Sequence, residues 1–300
     1  MTITIRPARA EELELAQALV VGSINDLTVR HGFGPMATAR PPAFQLFSLR
    51  DDPRGLWTAE DAGEMVGFAF SWASADLWFL AELFVAPDRQ GQSIGRELLR
   101  KTLQHASDSG AATRALITFT FNRTSQALYI KHGFFPRTPV YMFSGARDAI
   151  APKLESSPLR HVRIEDTPAH RRELARVDGH VLSTNRDKHH GVLVRDPTMH
   201  GALLYAADEC VGYAYVNSAG HIGPLATIRA SAAGPAFATA LGLAADQGAA
   251  QISAFIPGAN EAALAAAVAC GMKILFPMLL MSSRPFGDWS QYAPRNPGFM

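Results

Sequence analysis

Residues 80–99 read Leu-Ala-Glu-Leu-Phe-Val-Ala-Pro-Asp-Arg-Gln-Gly-Gln-Ser-Ile-Gly-Arg-Glu-Leu-Leu, and this stretch decides the fold. Its apolar run predicts a strand that reaches Val85 and stops before Pro87, because proline cannot donate to a ladder. From Ile94 the apolar residues recur at helical spacing. A strand, a loop with two glycines and a helix in this order predict an anion site, because the first turn of a helix presents free N–H groups and a positive dipole end.

The loop differs from two common phosphate-binding loops, since it lacks the Gly-Lys-Ser/Thr end of a P-loop and the Gly-x-Gly-x-x-Gly of dinucleotide-binding domains. It resembles motif A of the GNAT acyltransferase family, which binds the pyrophosphate of coenzyme A. The family pattern is Gln/Arg-x-x-Gly-x-Gly/Ala after a strand ending in Val-x-Pro, and Ser93 stands where its central glycine usually lies. An ordinary strand–turn–helix with a charged surface loop is the alternative. The motif here reads Gln90-Gly91-Gln92-Ser93-Ile94-Gly95.

A second motif follows a predicted strand at residues 115–121. Residues 122–134 read Asn-Arg-Thr-Ser-Gln-Ala-Leu-Tyr-Ile-Lys-His-Gly-Phe. They resemble motif B of the same family, Asn-x-x-Ala-x-x-Leu-Tyr-x-x-x-Gly-Phe, with Ser125 in place of the alanine. The two motifs together are more specific than either alone, and the resemblance covers residues 3–143. It implies an α/β (α+β) fold in which a mixed, mostly antiparallel sheet is flanked by helices.

The resemblance also implies a binding site for acetyl-CoA. A strand that stops pairing leaves backbone N–H groups free, so the N–H of Phe84 or Val85 is expected to bind the thioester oxygen. Asn122 is expected to bind the pantetheine amides where two strands separate, as in the family. The full set of cofactor-binding residues predicted in this way is Phe84, Val85, Arg89, Gln90, Gly91, Gln92, Ser93, Ile94, Gly95, Arg96 and Asn122.

Two side chains are predicted to be catalytic. Tyr129 occupies the position of the family's acid, and a phenol with a pKa of about 10 can donate to the leaving thiolate at neutral pH. Glu82 is the predicted base, because an amine must lose its proton and a carboxylate in an apolar strand is costly unless paired or useful. His31 and His132 are weaker candidates for the base. The plainer interpretations are that Tyr129 is a half-buried aromatic residue of the helix and that Glu82 forms a salt bridge in the sheet.

Length and composition predict two soluble domains. The chain has 300 residues, of which 48% are apolar, enough for two cores. A net charge of +1, from 28 basic and 27 acidic residues, argues against a nucleic-acid surface and a polybasic membrane anchor. Cys210 and Cys270 are too isolated for a disulfide framework or a zinc site, so no metal is expected. With no long apolar run and no signal peptide, a cytoplasmic protein is expected.

The second half of the chain repeats the first. Asn122 and Gly133 return 138 residues later as Asn260 and Gly271, within the same sequence of predicted elements. The second copy does not repeat the residues predicted to bind the cofactor or to act as the acid. At the same offset Gln90 becomes Ile228, Gly91 becomes Arg229, Gly95 becomes Ala233 and Tyr129 becomes Ala267.

These observations predict two tandem GNAT folds. Residues 1–145 form the domain with intact acyl-CoA motifs, and residues 159–300 form a degenerate GNAT-like domain. Residues 146–158 are rich in small residues, prolines and charges, and are interpreted as the linker. Within the first domain we predict a helix over residues 10–21 and a polar loop over residues 30–42, a segment from which the family often builds its acceptor site.

The leading functional hypothesis is an acetyl-CoA-dependent N-acetyltransferase that moves the acetyl group directly to the amine of a small molecule. The first half contains no cysteine, which excludes a cysteinyl acyl-enzyme there. A non-catalytic acyl-CoA-binding or scaffold protein is one alternative. The tandem arrangement also resembles the mycothiol synthases, whose acceptor is an amino sugar, although the intact motifs here lie in the amino-terminal copy. The acceptor and the formation of a homodimer are left open.

Overall fold

The computed structural model describes residues 3–300, so residues 1 and 2 of the predicted first domain lie outside the described residues. The chain divides into two compact units. Unit 1 contains the chain up to Ile117, together with Phe121–Phe135 and Ser282–Arg284. Unit 2 contains Thr118–Thr120, Pro136–Met281 and Pro285–Met300.

Both halves of the chain contain strands and helices. The strands are β1 (Thr4–Pro7), β2 (Leu56–Asp61), β3 (Glu64–Ser74), β4 (Leu77–Val85), β5 (Thr113–Phe119), β6 (Phe135–Ala146), β7 (Arg160–Arg163), β8 (Met199–Ala206), β9 (Glu209–Asn217), β10 (His221–Thr227), β11 (Gln251–Pro257), β12 (Lys273–Ser282) and β13 (Tyr292–Ala293). The helices are α1 (Leu13–Arg30), α2 (Ala43–Asp51), α3 (Ile94–Asp108), α4 (Arg123–Lys131), α5 (Arg147–Ile150), α6 (Pro168–Leu182), α7 (Asp187–Arg195), α8 (Ala230–Asp246) and α9 (Glu261–Ala269).

Unit 1 is built on a sheet with the strand order β1-β2-β3-β4-β5. Its neighbouring strands are antiparallel, except that β4 and β5 run parallel. The hairpin of β2 and β3 turns at Ala62 and Gly63, whose φ angles of 51° and 86° are both positive. Positive φ at both central residues matches the twist of a two-residue hairpin.

Helices cover both faces of this sheet. Ile94 and Leu98 of α3 pack on one face, in a buried cluster that also contacts Leu83 and Val85. Glu82 points to the opposite face, where its carboxylate accepts a hydrogen bond from Gln45 of α2. This alternation along β4 follows from the two-residue period of a strand, and it separates the predicted base from the core under α3.

Strand β4 leaves β5 halfway along its length. The parallel register joins Leu77–Leu80 only to Thr113–Leu116. At the same point the register of β4 with β3 shifts, so that Ala81 is an extra residue between two paired positions. A bulge of this kind bends the strand and increases its twist. The distal part of β4 therefore remains paired with β3 while its other edge opens away from β5.

Unit 2 repeats this order of elements, with neighbouring strands β12-β6-β11-β10-β9-β8-β7. The parallel pair is β10 with β11, joined at His221 and Ile222. Beyond that point β10 pairs antiparallel with β13, at Leu225 and Ala226. Helix α5 and a 3-10 turn at Ala151–Lys153 occupy part of the predicted linker.

Helix α1 is longer than the predicted helix over residues 10–21, since it continues to Arg30. Gly22 and the polar residues after it obscure the apolar pattern in the sequence, although Ser23 and Thr28 are buried in the structure. Among the described residues, no helix is long and apolar enough to cross a membrane. Those residues also contain no group of three or more histidine, cysteine or acidic side chains placed to hold a metal ion.

Candidate active site

A cleft of about 1110 Å³ lies in unit 1, beside the open edge of β4. The strand end, the loop before α3, helix α4 and the last turns of α1 form its walls. Most of the predicted cofactor-binding residues meet here, whereas Gln92 is an exposed loop residue outside the lining. The predicted residues that line the cleft are Phe84, Val85, Arg89, Gln90, Gly91, Ser93, Ile94, Gly95, Arg96 and Asn122.

The backbone of Val85 faces the cleft. The N–H of Ala86 donates to the carbonyl oxygen of Val66 in β3, at 2.9 Å. Backbone groups of successive strand residues point to opposite edges, so the N–H and C=O of Val85 point away from β3 and toward the gap. Ser23 Oγ and Gln90 Nε2 donate to this carbonyl oxygen from the cleft side, at 3.3 and 3.2 Å. Of the two N–H groups predicted from sequence, the one on Val85 has the orientation needed to meet a ligand.

The loop before α3 uses two left-handed residues to turn. Gly91 has φ +81° and Ser93 has φ +66°. Left-handed backbone favours glycine, which explains why a glycine is the usual residue at the Ser93 position of the family motif. Ser93 is the N-cap of α3, but its hydroxyl makes no capping hydrogen bond. Within the first turn of α3, the N–H of Arg96 donates to the Ser93 carbonyl oxygen at 3.1 Å, which leaves the N–H groups of Ile94 and Gly95 to an anion.

Gly95 keeps the cleft open beside the helix. A Cβ at this position would meet only Val85 Cγ2, at 3.6 Å, which is an ordinary van der Waals distance. The backbone there does not require glycine, since no left-handed φ occurs at Gly95. A larger side chain would thus be accommodated by the fold, but it would occupy space in the cleft.

Basic side chains surround the cleft. The described lining includes five lysine or arginine residues and no aspartate or glutamate. Arg30 pairs with Asp26 and Arg89 with Asp61, the latter at 2.9 Å. The other three, which have no ion-pair partner among the described residues, are Arg96, Arg123 and Lys131. A cleft lined by one sign of charge concentrates ligands of the opposite sign, so this one favours a polyanion.

Asn122 caps helix α4 at the rim of the cleft. Its Oδ1 accepts a hydrogen bond from the N–H of Ser125, at 3.2 Å. The cap explains the local sequence, because asparagine before a helix satisfies one of the orphan N–H groups. Asn122 also lines the cleft, and its Nδ2 is a hydrogen-bond donor that the cap does not use.

Tyr129 is buried below the cleft wall. It is only 5% exposed, and it is not among the residues that line the cleft. Its ring packs edge-on against Phe134, with 6.3 Å between the centroids. Burial raises the pKa of the phenol, and a side-chain hydrogen bond with Ser125 only partly offsets this. The acid role predicted for Tyr129 stays a prediction, and Ser125 is the residue of this pair that faces the cleft.

Glu82 is enclosed between β4 and helices α1 and α2. Gln45 Nε2 donates to Glu82 Oε1 at 2.9 Å and lies 3.3 Å from Gln17 Oε1. Burial raises the pKa of Glu82 to about 7. Its Oε2 is inaccessible to solvent and accepts no hydrogen bond from a described residue. The structure shows no ion pair for Glu82 among those residues, so the salt-bridge interpretation has no support in it.

Sequence reasoning missed the contribution of α1 and α2. Ser23, Leu27 and Arg30 lie on one face of α1 at helical spacing and line the cleft. That i, i+4, i+7 spacing was the available signal, but it lies in the polar half of the helix. Nothing in the sequence indicated that Gln45 would meet Glu82, because the two residues are 37 positions apart.

Part of the chain matches a known protein family. Residues 24–134 match the family model described as "Acetyltransferase (GNAT) family". The chain is 33% identical over 85 residues to a mycothiol acetyltransferase of Streptomyces coelicolor, a match that spans 28% of each chain. The curated relative is therefore matched over about a quarter of its length.

Two solved structures resemble nearly the whole chain. An acetyltransferase candidate from Pyrococcus horikoshii has a TM-score of 0.76 at 19% identity, over 99% of this chain and 96% of its own. A tandem GNAT protein from the clavulanic acid biosynthesis pathway has a TM-score of 0.63 at 15% identity, over 95% of this chain and 99% of its own. Because the sequence identities are only 19% and 15%, this similarity shows a shared fold alone.

Proposed function

Since residues 24–134 belong to the GNAT acetyltransferase family, we propose that this protein transfers the acetyl group of acetyl-CoA directly to the amine of a small molecule. In this reaction the amine nitrogen attacks the thioester carbon, the C–S bond breaks, and its electron pair leaves on the sulfur. The proton lost by the amine passes to a base on the protein. Family membership supports acetyl transfer, while the cosubstrate and the acceptor are the proposed part.

The observation that carries the proposal is an open strand edge that leads into a basic helix N-terminus. The free edge of β4 offers alternating N–H and C=O groups to the amides of an extended pantetheine arm. The loop at Gly91 and the first turn of α3 face the same cleft, where N–H groups and a positive dipole end suit a pyrophosphate. Three unpaired cations there match the remaining phosphate charge of coenzyme A.

The N–H of Val85 is the proposed donor to the thioester oxygen. A donor fixed in a strand needs no reorganisation as negative charge develops on that oxygen, and such fixed donors account for much of the rate enhancement in acyl transfer. Val85 is held in place by β3 on one side and by α3 on the other.

Glu82 is the proposed base. A carboxylate whose pKa is about 7 can accept a proton near neutral pH, and the ideal base has a pKa near the working pH. Gln45 binds Oε1 and fixes the orientation of the carboxylate. Oε2 is the oxygen proposed to take the proton of the amine. The acceptor must first reach this oxygen, because Oε2 is closed to solvent and Glu82 does not line the cleft.

An amino sugar is the second candidate for the acceptor. The specific observation is the match to a mycothiol acetyltransferase, which covers 28% of this chain. The match is too short to assign that acceptor, so we keep the broader class of small amines as the conclusion. Parallel assays with glucosamine, spermidine and lysine as probe amines distinguish a sugar acceptor from a linear one.

Calorimetry and a transfer assay test the proposal together. Titration of the full chain with acetyl-CoA should show one site per chain. Incubation with acetyl-CoA and each probe amine should release coenzyme A thiol and give a product heavier by one acetyl group. Binding with no product from any amine, at any pH between about 6 and 9, would instead favour the non-catalytic acyl-CoA-binding alternative.

A further inference from the structure

A buried histidine of α3 connects three other elements of unit 1. His105 is only 2% exposed, and each nitrogen of its ring has a polar neighbour. Nε2 lies 3.1 Å from Oδ2 of Asp52, the residue that ends α2. Nδ1 lies 3.2 Å from Nε1 of Trp78 in β4 and 2.9 Å from Oγ of Ser71 in β3. The imidazole therefore joins the end of α2 to the sheet.

Trp78 fixes the tautomer of this ring. An indole N–H can only donate, so the nitrogen that it meets must carry a lone pair. Nδ1 of His105 is therefore unprotonated, and the ring proton is on Nε2, where it donates to the carboxylate of Asp52. The hydroxyl of Ser71 also lies 3.3 Å from the carbonyl oxygen of Gly55 and can donate to it. Both ring nitrogens are thus satisfied in the neutral form.

A second proton on the ring would conflict with this arrangement. It would lie on Nδ1 and point toward the indole N–H of Trp78, so two donors would face each other across 3.2 Å. Trp78 is fully buried, and a buried donor that loses its acceptor is destabilising. The position of His105 therefore suits the neutral imidazole and opposes the imidazolium.

The charged groups near the ring do not reverse this preference. Burial lowers the pKa of His105, and the positive charge of Arg54 acts in the same direction. The carboxylates of Asp52 and Asp108 oppose this shift but only partly offset it. The strands β3 and β4 face the ring with a hydroxyl and an indole, neither of which is charged. The ring is therefore neutral at neutral pH.

The turn of residues 52–55 packs directly on the ring. A Cβ on Gly55 would collide with the carbonyl oxygen of Ser71 and would lie 3.2 Å from Cε1 of His105. Pro53 and Arg54 of the same turn are exposed. A ring that gains a charge needs water or a new partner, and this turn covers it. Hydration of the charged ring thus requires the turn to lift.

We propose that His105 is a pH-sensitive clasp for the C-terminal end of α2. The neutral ring holds Asp52 and the turn after it against α3 and β3. When Nδ1 takes up a proton, the ring loses its contact with Trp78, the turn lifts, and the end of α2 is released. This inference goes beyond the proposed function and does not depend on it. The released helix is the one that carries Gln45, the partner of Glu82.

The clasp should fail on the acid side of neutrality. A histidine whose pKa is lower in the folded chain than in the unfolded chain stabilises the folded state while it is neutral. This contribution is complete above about pH 6.5, the usual pKa of the unfolded residue, and is lost as the pH falls below that value. Opening of residues 43–55 should therefore increase about tenfold between about pH 7.5 and about pH 5.

Hydrogen exchange of the full chain, measured by mass spectrometry, tests the proposal. After correction for the intrinsic effect of pH, protection of residues 43–55 should fall about tenfold over this range. In His105→Gln it should not fall, because the amide can donate to Asp52 and accept from Trp78 but cannot take up a proton. His161→Gln is the matched control, since His161 is an exposed histidine of unit 2. It should respond to pH as the parent does.

Two further measurements address the ring itself. Nitrogen-15 spectra of the histidine side chains should show Nδ1 of His105 unprotonated and Nε2 protonated at about pH 7.5. Trp78→Phe removes the opposing N–H, so that a protonated Nδ1 can donate to Oγ of Ser71. This variant should lose less protection on acidification than the parent does. A merely weakened fold would lose more.

The outcomes decide the proposal even if one variant does not fold. An equal fall of protection in the parent and in His105→Gln would overturn it, because another group would then cause the opening. A proton on Nδ1 at about pH 7.5 would also overturn it, and the spectra of the parent alone test this point. Loss of protection spread evenly over unit 1 would indicate general acid unfolding in place of release of α2, and would contradict the clasp.

Discussion

The two halves of this chain place the same elements around two different strand edges. In unit 1, β4 leaves β5 at Leu80 and its edge opens onto the cleft. In unit 2, β10 leaves β11 after Ile222, but β13 pairs with the freed edge at Leu225 and Ala226. The N–H of Thr227 also donates to the Gln291 carbonyl oxygen, at 2.9 Å. Polypeptide in unit 2 thus pairs with the strand edge that, in unit 1, is proposed to bind a pantetheine arm.

The helices that follow these strands also differ between the two units, in the backbone and contacts of their N-caps. The N-cap of α3 is left-handed Ser93, and the first turn of the helix lines the cleft. The N-cap of α8 is Arg229, whose backbone is extended and whose guanidinium pairs with Glu209. A Cβ on Gly234 would lie 3.6 Å from Ala262 Cβ, so α8 packs closely on α9. The same order of strands and helices therefore does not by itself make a site, because the gap between the parallel strands must also be empty.

The largest expected effect is the loss of cofactor binding on filling the cleft of unit 1. Gly95→Val should lower acetyl-CoA affinity by at least about 100-fold, because the side chain takes the space of the phosphates beside the dipole of α3. Calorimetry measures the affinity, and circular dichroism checks the fold. Gly242→Val in α8 is the matched control, since a Cβ there meets nothing within 4 Å. Equal affinities for the two variants would contradict a phosphate site at Gly95.

The next effect concerns Glu82, the base proposed for unit 1. Glu82→Gln should reduce kcat by about 10²–10³-fold while leaving acetyl-CoA affinity nearly unchanged. In the parent protein, kcat/KM should rise with pH and level off above about 7, because the ionised fraction of a base of that pKa rises through this range. The variant should lose this rise. Glu97→Gln, on the exposed side of α3, should keep it. A parent-like pH profile in Glu82→Gln would rule out Glu82 as the base.

The smallest expected effect comes from replacing the left-handed serine at the N-cap of α3. Ser93→Gly should raise the free energy of unfolding by about 0.5–1 kcal/mol, because relief of the left-handed conformation exceeds the added entropy of the unfolded chain. The loss of the side chain should also raise acetyl-CoA affinity several-fold. Urea unfolding and calorimetry measure the two quantities.

Ala207→Gly is the control for the Ser93 variant, because Ala207 is also left-handed, with φ +50°, but lies in unit 2. It should gain stability without any gain in affinity. A weaker affinity in Ser93→Gly would instead indicate that the serine hydroxyl binds the phosphates.

The fold was predictable from sequence because its deciding signals are local. A strand that ends before Pro87, a loop with Gly91 and a helix from Ile94 lie within twenty consecutive residues, and β4, the loop and α3 form where they were expected. The Asn122 cap is equally local, since it joins residues three apart. The predicted fold class is confirmed by solved structures that resemble nearly the whole chain, one of them a tandem GNAT protein, and the family model matches residues 24–134 of the first copy.

Tertiary structure alone decided how open each site is and which atoms face it. Three features depend on residues distant in sequence or on the packing of several elements. They are the pairing of Leu225 with Ala293, the contact of Gln45 with Glu82, and the burial of Tyr129. Periodicity and motif spacing record which face of an element is apolar, but they do not record what packs against it. The sequence by itself therefore determined the fold and the conformation of the loop before α3. Long-range packing determined that β4 is open, that β10 is paired, and that Ser125 lines the cleft while Tyr129 is buried.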